Sequence, residues 1–164
     1  MKWLAQDPAL KKLSLKNPIH FLALGFGSGL AAKAPGTFGT LAALPVFLLL
    51  APLGLPAYLA ITLVVIVAGV FICHRAAHDM GVHDHGAIVW DEVAGLLITL
   101  IAVPMQWQWI ALGFVLFRLF DIIKPWPIRW LDAKVDGGFG IMIDDVVAGV
   151  FALLSLQLCL YWFG

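Results

Sequence analysis

The ten basic and ten acidic residues of this chain fall into three stretches, 2–33, 75–92 and 118–145. The intervals 34–74, 93–117 and 146–164 hold no Asp, Glu, Lys or Arg. Charge segregated this way points to lipid as the solvent, because a spanning helix needs about 20 apolar residues and keeps its charges at the ends. Composition agrees. Soluble domains average about 25% charged and 45–50% apolar residues, whereas this chain has 12% and 62%. Its net charge is zero, which argues against a nucleic-acid partner. The 164 residues suit one domain, 1–164.

The interval 34–74 is long enough for two spans, and Pro52-Leu-Gly-Leu-Pro56 is the turn between them. Helices over 41–51 and 57–73 are expected. The interval 93–117 reads as one span, or as a hairpin turning at Pro104-Met-Gln-Trp-Gln-Trp109. A single span would export Arg118, Lys124, Arg129 and Lys134, against the positive-inside tendency. The hairpin is therefore preferred, and 146–163 forms the last span. The expected fold is all-α: an integral membrane bundle of about five short transmembrane helices, with its three charged stretches on one face. Residues 1–16 are expected to form a peripheral, interfacial N-terminal helix, with Trp3, Leu4, Leu10, Leu13 and Leu15 as apolar contacts. Lys2, Lys11, Lys12 and Lys16 favour a cytoplasmic start, and no signal peptide is apparent. Cys73 and Cys159 lie in apolar runs and read as packing residues.

Carboxylates at the borders of apolar helices are costly unless neutralised. Trp90-Asp91-Glu92 opens one helix, Arg118-x-x-Asp121-x-x-Lys124 ends another on a shared face, and Asp144-Asp145 opens the last span with no neighbouring cation in sequence. Dipole stabilisation explains one acid at a helix start better than two adjacent ones. If these helix ends converge, Asp91, Glu92, Asp121, Asp144 and Asp145 form an all-oxygen set suited to Mg²⁺. Arg118 and Lys124 would hold a phosphate. Pro35-Gly36-Thr37-x-Gly39 reads as a loop leading into a helix N-terminus, an anion-favouring element, with Lys33 nearby as a snorkelling residue. Gly25-Phe-Gly-Ser28-Gly29 suits close backbone packing, with a phosphate nest as the alternative. His83 and His85 are candidate proton donors beside Asp84. His74 and His78 share a helix face at zinc-binding spacing, but helix-end packing is preferred. Arg129, Asp132, Lys134 and Asp136 read as a solvated loop, and Gly137-Gly138-Phe139-Gly140 as a turn.

Four strings, in order, resemble the bacterial phosphatidylglycerophosphatase A family. They are Gly27-Ser28-Gly29 with Pro35-Gly36-Thr37-x-Gly39; Gly81-Val-His83-Asp84 with Trp90-Asp91-Glu92; Arg118-x-x-Asp121-x-x-Lys124-Pro125-x-Pro127; and Gly140-x-x-x-Asp144-Asp145. Each is weak alone, four in order are specific, and the match runs from about residue 17 to 150. The resemblance implies an all-α enzyme of the bacterial inner membrane. It implies Mg²⁺-dependent removal of the phosphomonoester from phosphatidylglycerophosphate, giving phosphatidylglycerol, with the site on the cytoplasmic face. On that reading the five acids carry metal and catalysis together with His83. Arg118, Lys124, Gly36, Thr37, Gly39 and Ser28 contact the phosphate. The nucleophile is either water or a carboxylate.

Two other readings stay in view. A CDP-alcohol phosphatidyltransferase would show Asp-Gly-x-x-Ala-Arg…Gly-x-x-x-Asp-x-x-x-Asp, which is absent. An ion or proton conductor would place ionisable groups at mid-bilayer depth, yet none occurs within 41–73.

Overall fold

The computed structural model describes residues 7–164 and is helical throughout, with no strand among the described residues. Asn17 caps the first helix, α1 (Pro18–Ala23), accepting the Ile19 N–H at 2.9 Å, with Pro18 at the first helical position. This is the local chemistry expected of Asn-Pro. A kinked pair of 3₁₀ turns, Gly25–Leu30, follows. Helix α2 (Pro35–Leu50) runs on through a 3₁₀ turn, Ala51–Leu53, and Gly54 reverses the chain into α3 (Leu55–Met80). The expected hairpin is present. Its first helix starts earlier than the expected loop allowed, because Pro35 takes the first helical position, where its missing N–H is no loss.

Next comes α4 (Trp90–Thr99), only ten residues long, or about 15 Å at 1.5 Å per residue. It cannot cross a hydrocarbon core of about 30 Å. The chain turns back through residues 100–106 into α5 (Trp107–Ile123). The hairpin reading of this interval therefore holds in shape, with one arm half-length. Helix α4 packs against α2, α3, α5 and α7 and is the centre of the bundle. Val93, Leu96 and Leu97 are fully buried, with Phe47, Phe117, Ala148 and Leu156 around them. Side chains meet backbone carbonyls at and just beyond the C-terminal end of α4. The Tyr58 hydroxyl donates to the Leu97 carbonyl at 2.6 Å, and the Gln157 amide donates to the Ile101 carbonyl at 2.9 Å.

Two short departures precede the last helix. Residues 128–134 form a helix, α6 (Ile128–Lys134), rather than an irregular loop. The glycine-rich segment is not a turn but the first turn of α7 (Gly137–Phe163). A side chain at Gly138 would meet the Val70 carbonyl and the His74 backbone. Small residues let α7 lie directly on α3, so the helix starts earlier than the expected span. Asp144 and Asp145 are consequently two turns inside α7 rather than at its start.

Three helices, Pro35–Leu53, Leu55–Met80 and Gly137–Phe163, are long and apolar enough to cross a membrane. The N-terminal segment is not the expected surface helix over its described part. Residues 10–12 make a single 3₁₀ turn. Leu10 is buried in the cluster that includes Met80, and the Lys12 ammonium donates to the Met80 carbonyl at 2.7 Å. Trp3 and Leu4 lie outside the described residues. Cys73 and Cys159 are free, Cys73 packed 3.8 Å from the Met142 sulfur.

Candidate active site

The site is built on the crossing of α4 and α7. Gly95 and Gly149 face each other there. A side chain at Gly149 would meet the Gly95 backbone, and one at Gly95 would meet the Phe117 ring and the Asp145 carbonyl. The two helices approach at backbone distance, and Asp145 is thereby set beside the first turn of α4. Oxygens of Asp91, Glu92 and Asp145 lie within 4.8 Å of one another. Asp91 Oδ1 and Glu92 Oε2 are buried and accept no hydrogen bond. Three carboxylates this close, two with unpartnered oxygens, repel one another and are placed to share a cation.

The end of α5 closes the next side. Arg118 pairs with Asp121 at 2.5 Å and approaches Glu92 at 3.8 Å. Its Nε is buried without a partner. Its guanidinium also reaches the Thr40 hydroxyl of α2 at 3.5 Å. Gly36, in the first turn of α2, sits directly over this group. A side chain there would collide with Glu92 Oε1 and the Arg118 guanidinium. The glycine lets the backbone roof the acids, a requirement of close approach rather than of a turn.

Helix α5 ends at Ile123, with Lys124 in the left-handed region at φ 46°. That turn swings the ammonium toward α7 and α6, where it bonds Asp144 at 2.7 Å and Asp132 at 2.8 Å. Burial disfavours the charged ammonium, but hydrogen bonds to Asp132 and Asp144 outweigh it and hold Lys124 above the usual lysine range. Asp144 thus has a cation that is distant in sequence, while Asp145 has none among the described residues. Asp132, read from the sequence as solvated, is half of an ion pair. An acid four residues after Ile128 at the start of a short helix carries no local sign of that role.

A pocket of about 160 Å³ joins these groups. Asp91, Glu92, Asp121, Lys124, Asp132, Asp144 and Asp145 line it, and His83 and Asp84 stand at its edge. All five sequence-predicted acids are together. His83 Nε2 lies 2.7 Å from Asp136 Oδ1. His85 is held elsewhere, 2.9 Å from Asp7. Of the phosphate candidates only Lys124 lines the pocket; Arg118 and Gly36 lie beside it against Glu92, and the rest are held elsewhere. Ser28 donates to the Gly25 carbonyl at 2.7 Å, and the Gly25–Leu30 turns press against Ala87 and Val89, so this glycine segment serves packing. A side chain at Gly39 would likewise meet Val89. Thr37 spends its backbone N–H on the Ala34 carbonyl at 2.9 Å.

His20, absent from the sequence candidates, joins Asp79 and Arg75 in a second polar cluster. The His20 and Arg75 nitrogens each lie 3.0 Å from Asp79 Oδ2. His74 and His78 are exposed, and no metal-type grouping includes them among the described residues.

Comparisons with known proteins find relatives along most of the chain. Residues 21–160 match the family model described as Phosphatidylglycerophosphatase A. The chain is 55% identical over 148 residues to the Escherichia coli protein named Phosphatidylglycerophosphatase A, covering 90% of this chain and 86% of that one. It is 50% identical over 161 residues to the Haemophilus influenzae protein of the same name, covering 97% and 99%. No solved structure matches the chain. An all-helical, strongly apolar chain whose acids converge on one pocket, and whose likeness to these proteins runs almost end to end, belongs to the phosphatidylglycerophosphatase A family.

Proposed function

We propose that this protein hydrolyses the terminal phosphomonoester of phosphatidylglycerophosphate in a bacterial inner membrane, releasing phosphate and leaving phosphatidylglycerol. The observation that carries this reading is the trio Asp91, Glu92 and Asp145, with oxygens within 4.8 Å, in a pocket shared with Lys124, with Gly36 and Arg118 packed against Glu92 beside it. The donors are all oxygen, and two of them are buried without a partner. That set fits a hard divalent ion such as Mg²⁺, which takes carboxylates together with substrate phosphate and water. Asp91, Glu92 and Asp145 would hold the ion, with Asp121 and Asp144 adjoining. Bound there, Mg²⁺ would neutralise phosphoryl charge and polarise the phosphorus–oxygen bonds.

The chain's own residues account for the rest. Arg118 offers a forked set of donors to phosphate oxygens, and Asp121 fixes its orientation. Lys124, kept charged between Asp132 and Asp144, adds a second positive group. In the net reaction the bond from phosphorus to the glycerol oxygen breaks, a water oxygen ends on the phosphate, and the glycerol oxygen gains a proton. His83, at the pocket edge and steadied by Asp136, is the candidate donor of that proton. The attacking oxygen comes from water or from one of the carboxylates. Rapid quench with labelled substrate separates the two, since only the second route leaves phosphate on the protein.

The cytoplasmic placement of the pocket rests on the positive-inside tendency of Lys11, Lys12, Lys16, Arg129 and Lys134. Helices α4 and α5 would enter as a hairpin from the same face, with the half-length α4 reaching only partway, so α4 does not count as a fifth full span. The deciding measurement is phosphate release by purified protein from phosphatidylglycerophosphate in mixed micelles. Release with Mg²⁺ that stops on chelation is expected, and no release with any divalent ion would overturn the reading.

A further inference from the structure

We propose that the cleft between α2 and α5 is the seat of an acyl chain of the lipid whose phosphate enters the pocket, a reading that rests on the lipid-phosphate function above. Helices α2 and α5 each pack on α4 rather than on one another. They are clasped at one end, where Arg118 reaches Thr40. Beyond that clasp they bound an apolar groove of about 550 Å³, lined by Leu41, Leu44, Leu48, Trp107, Ala111 and Phe114 among others. That size lies within the roughly 300–1,000 Å³ of small-ligand sites.

The groove runs on from the site along the same two helix faces. Residues one turn apart share a face. On α5, Arg118 is followed downward by Phe114, Ala111 and Trp107 on one stripe. On α2, Gly36 and Thr40 are followed by Leu44 and Leu48. Each stripe begins with a group at the acids and continues as the groove wall. From Arg118 to Trp107, α5 descends roughly 16 Å at 1.5 Å per residue. This matches one leaflet of a hydrocarbon core about 30 Å thick. A phosphate held at Arg118 would therefore have its lipid tail start at Phe114 and end near Trp107. The second apolar hollow on the lipid-facing surface, along Leu63, Val64, Val67 and Ala68, lies on α3 alone and serves as the internal control.

The test uses the full chain in vesicles, with phosphatidylglycerophosphate carrying a diazirine partway down one acyl chain. Photolabel concentrated on α2 and α5 groove residues, in excess of that on Leu63–Ala68 positions, supports the assignment whether or not turnover is seen. Even labelling of both hollows means bulk lipid contact and overturns it. In parallel, kcat/KM is measured for long-chain and dihexanoyl substrate. Ala111→Trp fills the groove at an exposed position. It is expected to lower the long-chain to short-chain ratio on the order of tenfold, the value of about two buried methylenes, chiefly through KM. Val67→Trp, at an exposed position of the α3 hollow, should leave that ratio unchanged. Equal effects of the two substitutions sink the groove while leaving the phosphatase reading standing, and absence of turnover by the wild-type chain sinks the phosphatase reading alone.

Discussion

Two polar clusters on this bundle differ in how their carboxylate charge is met. Asp79, at the end of α3, has a partner for each of its oxygens. His20 and Arg75 lie 3.0 Å from Oδ2, and His78 lies 3.5 Å from Oδ1. His20 is itself fixed, since its Nδ1 accepts the Ser14 N–H at 3.1 Å. Asp91, Glu92 and Asp145 are arranged otherwise: they face one another, Arg118 stands off at 3.8 Å from Glu92, and two of their oxygens accept no hydrogen bond among the described residues. A cluster closed by its own bases is fastening, tying the N-terminal segment to α3. A cluster left open stores unfavourable energy that folding alone would remove. Its retention is the mark of a binding site.

The widest test of this contrast is Asp145→Asn. If the open cluster is the catalytic one, turnover should fall on the order of 10²–10³-fold, while the thermal midpoint stays level or rises as like-charge repulsion is relieved. Near-normal turnover would erase the distinction. A second test needs no substrate. Mg²⁺ at 100 times its Kd should stabilise the wild-type chain by about 2.7 kcal/mol, seen as a raised midpoint in detergent. Asp91→Asn should lose most of that rise. An equal rise in both proteins would remove Asp91 from the ion.

Changes in the closed cluster should act the other way. His20→Leu strips a buried partner from Asp79 and from the Ser14 N–H, and should cost about 1–3 kcal/mol of stability. Turnover per folded molecule should be unaffected. A loss of turnover without loss of stability would make the cluster functional and dissolve the comparison. The smallest effect is expected at Asp7. A hydrogen bond from His85 holds its carboxyl below the usual aspartate value of 3.8, against the opposing effect of burial. A depressed carboxyl contributes stability above its unfolded pKa, and that contribution disappears as pH falls through the folded one. Asp7→Asn should therefore be slightly less stable than wild type at neutral pH, and the gap should close below about pH 4. A gap that widens in acid would contradict this sign.

Many elements could be read locally. Asn17-Pro18 starts its helix, Gly54 between two prolines turns the first hairpin, and α5 stops just before Pro125-Trp126-Pro127. Each depends on groups within a turn of one another. The depth of Asp144 and Asp145 could not be read that way. Gly137–Gly140 resembles a turn until α3 is laid against it, and only then does the need for small residues favour a helix. The same holds for Lys124. Its sequence neighbours suggest a free phosphate ligand, while its true partners, Asp132 and Asp144, come from two later helices.

By itself, the sequence settled the solvent, the helical class and the identity of the acids, because segregated charge and unbroken apolar runs are properties of the chain at short range. The half-length α4, the pocket's ion pairs and the α2–α5 cleft were decided by tertiary structure alone. Each depends on contacts between elements distant in sequence, as the close approaches at Gly36, Gly95 and Gly149 do, and such a contact has two partners, of which a linear reading shows one at a time.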